Sequence, residues 1–462
     1  MTKIWEGKRI LIIGAARQGL AAARFLTSKG AIVTINDQRS AGEFLAAQTT
    51  LQDLPIRWKL GSHPFELLEN IDFLCLSGGV PLSLPIIQEA INRSIPLTND
   101  TQVFLQAVPC RTIGITGSSG KTTTTALIGK IAQIALAGSK KRAWVGGNIG
   151  DPLLNHIDQI HPDDLAILEI SSFQLEQMTQ STYIAAVLNI TPNHLDRHKT
   201  MESYTATKAR LIELQDQNSI TILSRDDPGA WGLKDKVHGQ LISFGFSHMD
   251  PNSTGIQVSG KEYVLRDNSG ERILFDQSLV HLLGKHNQLN VMAACLLAIA
   301  AGFSTEEIVA GVDEFHAVAH RLEFVRSWGG ADWFNDSIAT TPERSMAAIC
   351  SFEKPIVLLL GGRDKDLPWG TLAELIQERV RSVVIFGEAA EIIEKALSQT
   401  PEELRHYSIL HCMGLKDAVV STAQLVKPGD VVLFSPGGTS FDEFRDFEER
   451  GERFRQWVLE LS

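Results

Sequence analysis

A glycine-rich turn between an apolar strand and a helix constrains this chain more than any other feature. The turn is Thr116–Gly120, with the sequence TGSSG, and Lys121 and Thr122 follow it directly. Residues 112–115 read as a strand before it, and residues 126–128 continue a helix after it. The N–H groups and the dipole at the start of a helix together bind anions. The turn is therefore predicted to bind a nucleotide phosphate.

Residue chemistry assigns roles within this turn. Lys121 would reach the β- and γ-phosphates, and the Thr122 hydroxyl would face Mg²⁺. The first glycine of the usual G-x-x-x-x-G-K-[ST] pattern is replaced by Ile115, so the loop is a variant. The alternative is an ordinary Gly/Ser turn that precedes a helix. The residues expected to contact the nucleotide here are Gly117, Ser118, Ser119, Gly120, Lys121, Thr122 and Thr123.

The composition is that of a soluble protein with several domains. The chain has 462 residues, 44% hydrophobic and 21% charged, enough for roughly two to four separate cores. A formal charge of −11 argues against a nucleic-acid partner, which would need a basic face. Five scattered cysteines without a C-x-x-C pair indicate neither a disulfide framework nor a zinc site. With no export signal and no apolar run long enough to span a bilayer, we expect a cytoplasmic protein without membrane insertion. We also expect a monomer.

Short β-branched runs alternate with helical patterns along the chain, which predicts an α/β fold with parallel sheets covered by helices. Three domains are expected: a Rossmann-like N-terminal domain over 1–108, a central P-loop ATPase-like domain with a parallel sheet over 109–316, and a Rossmann-like C-terminal domain over 317–462. In the last domain, strands at 356–360, 382–386 and 430–434 lead into glycine or serine. Ligand-facing loops should therefore collect at one edge of that sheet.

The first domain has an incomplete dinucleotide-binding fingerprint. The strand Arg9–Ile13 leads into the turn Gly14–Gly19, and the second strand ends at Asp37. Ala16 stands where the middle glycine of G-x-G-x-x-G would let the backbone approach a pyrophosphate. NAD binding and the binding of another nucleotide are both open, and the missing glycine favours the second.

Polar side chains follow two core strands of the central domain. A strand at 165–168 ends at Glu169, and a strand at 185–190 leads into the histidine-rich segment 191–198, which contains His194. An acidic residue at the carboxyl end of a core strand is well placed to hold Mg²⁺ or a water. For the histidine-rich segment, a solvated loop is the alternative to a role at this edge.

With these motifs the chain resembles the Mur ligase family over essentially its full length. The segments common to the family are 114–122, 146–150, 169–174, 193–197 and 284–290. Three further segments resemble the members that add D-glutamate: 320–323, 335–340 and 440–451. The last of these is the most specific.

The resemblance implies an ATP-dependent amide ligase of peptidoglycan precursor synthesis. ATP would phosphorylate the free carboxylate of UDP-N-acetylmuramoyl-L-alanine, and the amine of D-glutamate would attack the acyl phosphate. The barrier would be lowered by positioning and by cations. The catalytic residues that the resemblance implies are Lys121, Glu169, His194 and Lys208.

The resemblance also implies two Mg²⁺ ions. One would be held by Thr122 and Glu169, and the other by His194 and Lys208. An ammonium group cannot bind a metal, and the family solution is a carbamylated lysine whose carboxylate end supplies oxygen ligands. Without the resemblance, Lys208 would be interpreted as a surface lysine on a helix.

Other positions match the family one at a time. The residues implied around the adenosine are Asn287, Asn290, Arg321 and Asp336. Asn148 would contact the substrate, and the residues implied around D-glutamate are Thr340, Lys365, Ser440 and Phe447. For Phe447, core packing is an equal alternative. The residues implied for the uridine nucleotide are Arg17, Gln18, Asp37, Arg39 and Gly79.

The chain departs from the family pattern at three positions. Ile338 stands where related sequences often carry a lysine, Gly78 replaces the proline of Ser-Pro-Gly, and Leu322 replaces an aromatic residue. The first departure removes a cation, so affinity for the anionic substrate would be distributed differently. A sibling ligase, a folylpolyglutamate synthase and a nucleotide-dependent switch are the alternative functions. Only a ligase should release phosphate strictly when both co-substrates are present.

Overall fold

Three sheets organise the residues that the computed structural model describes, which are 4–316, 318–399 and 401–462. The first two sheets belong to one structural unit, which runs to Val280 and includes Lys285–Phe315. The third belongs to a second unit, formed by His281–Gly284 and the chain from His316 onward. The predicted limits at Met1 and Ala317 lie outside the described residues, and the exact domain boundaries stay a prediction.

The first sheet is parallel and has the strand order β3-β2-β1-β4-β5. Its strands are β1 (Arg9–Ile13), β2 (Ile32–Asp37), β3 (Arg57–Leu60), β4 (Phe73–Leu76) and β5 (Leu97–Asn99). Its helices are α1 (Arg17–Ser28), α2 (Leu45–Thr50), α3 (Pro85–Asn92) and α4 (Asp100–Ala107). The strand order reverses at β1 and β4, which opens a ligand crevice at their carboxyl ends.

The second sheet has nine strands in the order β14-β13-β12-β11-β10-β9-β6-β8-β7. The strands are β6 (Arg111–Thr116), β7 (Ala143–Gly147), β8 (Leu165–Glu169), β9 (Ile184–Val187), β10 (Ile220–Ser224), β11 (Gln240–Gly245), β12 (Gly255–Ser259), β13 (Glu262–Asp267) and β14 (Gly270–Asp276). The helices are α5 (Lys121–Ala135), α6 (Ser172–Leu175), α7 (Leu195–His198), α8 (Met201–Glu213), α9 (Pro228–Trp231), α10 (Lys285–Ala301) and α11 (Thr305–Asp313).

This sheet is parallel from β7 to β12 and antiparallel from there to β14. The antiparallel extension was not predicted. Two-residue connections join its strands, Gly260–Lys261 and Asn268–Ser269, and connections this short make hairpins.

The third sheet has the order β15-β16-β20-β17-β18-β19. The strands are β15 (Glu323–Trp328), β16 (Ala331–Asn335), β17 (Ile356–Gly361), β18 (Val380–Phe386), β19 (Ser408–His411) and β20 (Val431–Gly437). The helices are α12 (Pro342–Ile349), α13 (Gly370–Arg379), α14 (Ala390–Leu397), α15 (Leu415–Leu425) and α16 (Phe447–Glu460). All pairs except β15 with β16 are parallel. The predicted α/β class with three domains is confirmed.

The first two sheets share one hydrophobic core. Phe25 and Leu26 of α1 belong to the same buried cluster as Leu153 and Leu154, which lie on a short 3₁₀ helix of the central domain. Arg24 adds a hydrogen bond from its guanidinium to Asn155 Oδ1 at 2.8 Å. This packing explains why the two domains form one unit. Within the described ranges, no helix combines the length and apolar character needed to cross a membrane.

Asp100 at the start of α4 yields a stability prediction. It is 7% exposed, its Oδ1 has no hydrogen-bond partner among the described residues, and burial raises its pKa to about 7. Between the unfolded pKa near 3.8 and that value, the folded state binds more protons than the unfolded state. Stability contributed by the protonated form is therefore lost as the pH rises through this window. Asp100→Asn should raise the free energy of unfolding at pH 8 by on the order of 2 kcal/mol, since asparagine cannot ionise.

The measurement is urea unfolding at pH 8 and pH 5, with a smaller gain expected at pH 5. Asp53→Asn makes the same change at an exposed site and serves as the control. A gain for Asp100→Asn that does not depend on pH would contradict the explanation by ionisation.

Candidate functional site

The glycine-rich turn follows β6 and begins α5, as its sequence predicts. Gly120 caps the helix with a φ of +81°, a region that favours glycine. A Cβ atom at this position would lie 2.2 Å from the Oδ1 of Asn290 on α10. Asn290 is buried and also donates from Nδ2 to Asn287 Oδ1 at 3.0 Å. The close approach of Asn290 to the turn thus requires glycine at 120.

The segment after β9 forms hydrogen bonds with the glycine-rich turn. The Ser118 N–H donates a hydrogen bond to the Asn189 carbonyl oxygen at 2.9 Å, and the Ser119 N–H donates to the Asn189 side-chain oxygen at 2.8 Å. Strand β9 was predicted to continue to Ile190, but it ends at Val187. The chain leaves the sheet there because its polar groups bond to the turn. The role of Asn189 was not predicted, because the residue lay within the predicted strand 185–190.

Lys121 lies across the turn that precedes it. Its Nζ donates to the carbonyl oxygens of Gly117 at 2.8 Å and Ser118 at 3.3 Å. The ammonium is therefore held at the turn into which a phosphate would bind. Its predicted contact with the β- and γ-phosphates is consistent with this position.

Lys208 lies in the interior, on α8, and the alternative of a surface lysine is wrong. Its exposure is 0%, its Nζ donates to Thr116 Oγ1 at 3.3 Å, and it lies 4.8 Å from the centre of the Tyr204 ring. Burial lowers its pKa well below the ordinary value, and the charge of Lys121 lowers it further. The environment therefore favours the neutral amine.

Glu169 ends β8 beside the turn, since Ile115 of β6 pairs with it in the parallel register. The carboxylate is 2% exposed and its Oε1 accepts a hydrogen bond from Asn148 Nδ2 at 2.9 Å. Its Oε2 is buried and has no hydrogen-bond partner among the described residues. A buried carboxylate oxygen without a donor is suited to bind a cation.

The histidine-rich segment divides into an exposed half and a packed half. His194 is exposed, has a φ of +52°, and contacts the Phe173 ring edge-on at 5.0 Å between centroids. Arg197 pairs with Glu176 at 2.7 Å, and His198 is buried. The solvated-loop alternative therefore describes His194 but not Arg197 and His198.

Among the described residues, the donor atoms around Glu169 include few protein ligands for Mg²⁺ other than the carboxylate itself. Across the described ranges, no group of three or more His, Cys, Asp or Glu side chains comes together to hold a metal. A cation at Glu169 would thus take its other ligands from hydroxyls such as that of Thr122 and from phosphate oxygens. Mg²⁺ in phosphoryl-transfer sites is bound in this way, so the residues present fit the ion.

An open cavity of about 320 Å³ lies at the carboxyl edge of the first sheet. Its lining includes Asp37, Arg39 and Gly79, three of the residues predicted for the uridine nucleotide. Asp37 accepts hydrogen bonds from the Ala15 N–H at 2.9 Å and from the Arg39 guanidinium at 2.9 Å. Burial acts to raise its pKa, but these hydrogen bonds outweigh it and hold the pKa at about 2. Arg17 is exposed nearby at the start of α1.

Gln18 connects this cavity to the central domain. Its Oε1 accepts the Gly78 N–H at 3.1 Å, and its Nε2 donates to the Gly147 carbonyl at 3.3 Å. A proline at 78, the more usual residue, has no N–H to donate. Glycine at 78 therefore adds a hydrogen bond to Gln18, whose other hydrogen bond goes to Gly147, the residue before Asn148.

The residues predicted in the second unit lie near the carboxyl ends of β16, β17 and β20. Asp336 is buried, accepts from Ser435 Oγ at 2.8 Å, and has its pKa raised by burial to about 7. Ser440 is 2% exposed, whereas Lys365 is exposed. The remaining predicted residues are half-buried: Arg321, Thr340 and Phe447.

Phe447 lies edge-on to His320, at 6.4 Å between ring centroids, so its packing is partial and leaves part of the ring accessible. One residue in the same motif, Arg450, was missed. It is completely buried and donates to Ser337 Oγ at 3.0 Å, the Ser337 carbonyl at 2.8 Å and the Gly438 carbonyl at 3.0 Å. Burial lowers its pKa to about 10, so it remains charged at neutral pH. Arg450 fixes the loops that carry the predicted residues.

A glycine substitution tests the turn. Gly120→Ala should weaken ATP binding by about five- to thirtyfold, because the methyl group would displace Asn290 and strain the left-handed backbone, at a cost of about 1–2 kcal/mol. Gly138→Ala is the matched control, with a φ of +74° and open space around the added Cβ. Calorimetric titration should show weaker binding in Gly120→Ala alone. Equal affinities in both variants would remove Gly120 from the nucleotide site.

Known protein families match most of the chain in three consecutive segments. The model for the Mur ligase MurD-like N-terminal domain matches residues 8–99. The Mur ligase middle domain matches residues 115–298, and the Mur ligase glutamate ligase domain matches residues 320–438.

Individual relatives cover the whole length. The chain is 38% identical to the UDP-N-acetylmuramoylalanine–D-glutamate ligase of Koribacter versatilis over 458 residues, covering 99% of this chain and 98% of that protein. It is 38% identical to the enzyme of the same name from Pelotomaculum thermopropionicum over 468 residues, covering 100% of both. Among solved structures, UDP-N-acetylmuramate–alanine ligase of Thermotoga maritima matches with a TM-score of 0.57 at 17% identity, covering 97% of this chain and 98% of that one. This last likeness concerns the fold alone.

Proposed function

The chain belongs to the Mur ligase family, and we propose that it joins D-glutamate to UDP-N-acetylmuramoyl-L-alanine with the conversion of ATP to ADP and phosphate. The product is a peptidoglycan precursor, so the protein would act in the cytoplasm in cell-wall synthesis and hence in cell shape and division. The names of the full-length relatives support the substrates.

One structural observation carries the proposal. Lys121, the buried Lys208 and the buried Glu169 lie at the carboxyl ends of β6 and β8, beside the glycine-rich turn 116–120. Phosphoryl transfer to a carboxylate brings two anions together. Cations and loop N–H groups fixed in advance stabilise the charge that develops, without reorganisation during the reaction.

Each side chain around the turn has a separate proposed role. Lys121 and the N–H groups of the turn would hold the phosphates of ATP, and Asn148 would orient Glu169. Mg²⁺ bound through Thr122 and Glu169 would neutralise phosphate charge. Carbamylation of Lys208 would convert its amine into an oxygen ligand for a second ion, together with His194. The burial that favours the neutral amine of Lys208 supports this modification, because only a neutral amine adds CO₂.

The residues proposed to bind the substrates come from both units. The cavity lined by Asp37, Arg39 and Gly79 would receive the uridine nucleotide, with Arg17 and Gln18 beside it. Asn287, Asn290, Arg321 and Asp336 would surround the adenosine. The positions for D-glutamate would be Thr340, Lys365, Ser440 and Phe447.

The test is phosphate release with ATP, Mg²⁺ and UDP-N-acetylmuramoyl-L-alanine against a panel of amino acids. We expect release only with D-glutamate present, because an acyl phosphate is productive only with a nucleophile in place. Equal turnover with L-lysine or meso-diaminopimelate would assign the chain to a sibling reaction. Hydrolysis of ATP without any amino acid would favour a nucleotide-dependent switch.

A further inference from the structure

The turn at the end of β7, residues 147–150, carries Asn148 and has a backbone that is not rigid by itself. Gly147 has a φ of +99° and Gly150 a φ of +68°. Asn148 and Gly150 are exposed, so core packing does not hold them. Glycine leaves the backbone free to adopt many conformations. Hydrogen bonds with neighbouring segments must therefore set the position of the Asn148 side chain.

On one side, the turn contacts the carboxylate that is proposed to hold Mg²⁺. The Asn148 N–H donates to the Glu169 carbonyl oxygen at 2.8 Å, and Asn148 Nδ2 donates to Glu169 Oε1 at 2.9 Å. A Cβ atom at Gly147 would lie 2.3 Å from the same carbonyl oxygen, so the two backbones are in close contact. A shift of the turn would therefore change the orientation of the carboxylate.

On the other side, helix α1 of the first domain contacts both ends of the turn. Gln18, in the first turn of this helix, donates from Nε2 to the Gly147 carbonyl oxygen at 3.3 Å. Further along the helix, Arg24 donates to Asn155 Oδ1 at 2.8 Å, and Asn155 Nδ2 donates to Asp151 Oδ1 at 3.1 Å. The helix thus fixes the chain directly before and directly after the exposed glycine-rich residues.

Gln18 also contacts the cavity at the carboxyl edge of the first sheet. Its Oε1 accepts the Gly78 N–H at 3.1 Å, and a Cβ atom at position 78 would lie 2.1 Å from that oxygen. Gly78 lines the cavity, as does Ala16, which directly precedes α1. Both ends of the Gln18 amide are therefore bonded to the protein, one at the cavity and the other at the turn that carries Asn148.

We infer that Gln18 is a positioning residue, which fixes the Asn148 turn against Glu169 and so connects the cavity of the first sheet to the proposed Mg²⁺ site. The inference rests on the proposed function and gives Gln18 a role beyond contact with the uridine nucleotide. Loss of a group that orients a metal-binding side chain costs roughly ten- to hundredfold in metal affinity or activity. Gln18 acts one hydrogen bond further away, through Asn148, so its loss should have a smaller effect.

A double-mutant cycle on turnover at a fixed, subsaturating Mg²⁺ concentration tests this path. Gln18→Met, which loses both hydrogen bonds, should lower turnover roughly threefold to tenfold, and Asn148→Ala roughly ten- to hundredfold. If Gln18 acts through Asn148, the double variant should be no worse than Asn148→Ala alone. Losses that multiply in the double variant would overturn the proposal, because Gln18 would then act independently of Asn148.

Gln377→Met is the matched control. Gln377 lies on α13 in the second unit and also donates from Nε2 to a backbone carbonyl oxygen, that of Leu404. Its replacement should leave turnover unchanged, both alone and in combination with Asn148→Ala.

Two binding measurements do not depend on the reaction. The affinity for Mn²⁺ in the presence of ADP, followed by electron paramagnetic resonance, should show the same pattern as turnover across the cycle. The affinity for UDP, measured by calorimetry, should stay within about twofold in Gln18→Met, which also shows that the first domain is folded. A variant that loses affinity for UDP but not for Mn²⁺ would make Gln18 a nucleotide ligand and would overturn the proposal.

The two proposals fail in different ways. If the unaltered protein releases no phosphate with D-glutamate, the proposed function is wrong, and the Mn²⁺ affinities still decide the role of Gln18. If the unaltered protein is active and Gln18→Met changes neither turnover nor Mn²⁺ affinity, the function stands and the role of Gln18 is rejected.

Discussion

Lys121→Ala is expected to reduce turnover by on the order of 10²-fold or more, because it removes a cation fixed beside the turn that is proposed to bind the phosphates of ATP. The Lys121 Nζ lies 2.8 Å from the Gly117 carbonyl and 3.3 Å from that of Ser118, so its position is set before ATP arrives. A group placed in advance stabilises developing charge without reorganisation, and its loss should affect turnover more than substrate binding. The measurement is steady-state phosphate release with all substrates saturating.

Lys130 provides a matched control on the same helix. It pairs with Glu314 at 2.7 Å, away from the turn, and its replacement by alanine should change turnover little. Near-normal turnover in Lys121→Ala would remove this lysine from the site. Equal losses in both variants would indicate damage to α5 in place of a catalytic effect.

The fold could be predicted from the sequence where local pattern and tertiary structure agree. Strands β1 and β8 begin and end where their apolar runs do, since strands buried on both faces are continuous apolar runs. The turn at 116–120 was predicted because strand, glycines, lysine and helix follow in a fixed order. The antiparallel strands β12–β14 and the pair β15 and β16 were missed, because alternation of strands with helices does not indicate where a hairpin extends a parallel sheet.

The site could be predicted only in part, for a similar reason. Asn189 and Arg450 act through contacts with segments far away in the chain or with backbone carbonyls, and no local pattern reveals such contacts. Lys208 is the clearest example. Its neighbours along the chain are those of an ordinary helix, and the sequence by itself favoured a surface position. Only the packing of α8 against β6 places the amine beside Thr116.

Lys208→Ala is expected to abolish turnover while leaving the fold intact, if the amine is carbamylated and binds Mg²⁺. Added acetate should then restore part of the activity by supplying a carboxylate at the vacant ligand position. Lys208→Arg should also be inactive, because a guanidinium stays positive and neither adds CO₂ nor binds a cation. Circular dichroism would check the fold of each variant.

Carbamylation can also be detected without an activity assay. With ¹³C-labelled bicarbonate, the unaltered protein should show a carbamate carbon signal that is missing in Lys208→Ala. The buried position makes this test decisive, since an amine held neutral by burial can add CO₂ whereas an exposed ammonium adds it poorly. Full activity in Lys208→Arg would contradict the carbamate, and so would a signal that persists in Lys208→Ala. Either result would leave the ligase assignment standing, because the proposed roles of Lys121, Glu169 and the glycine-rich turn do not depend on the modification.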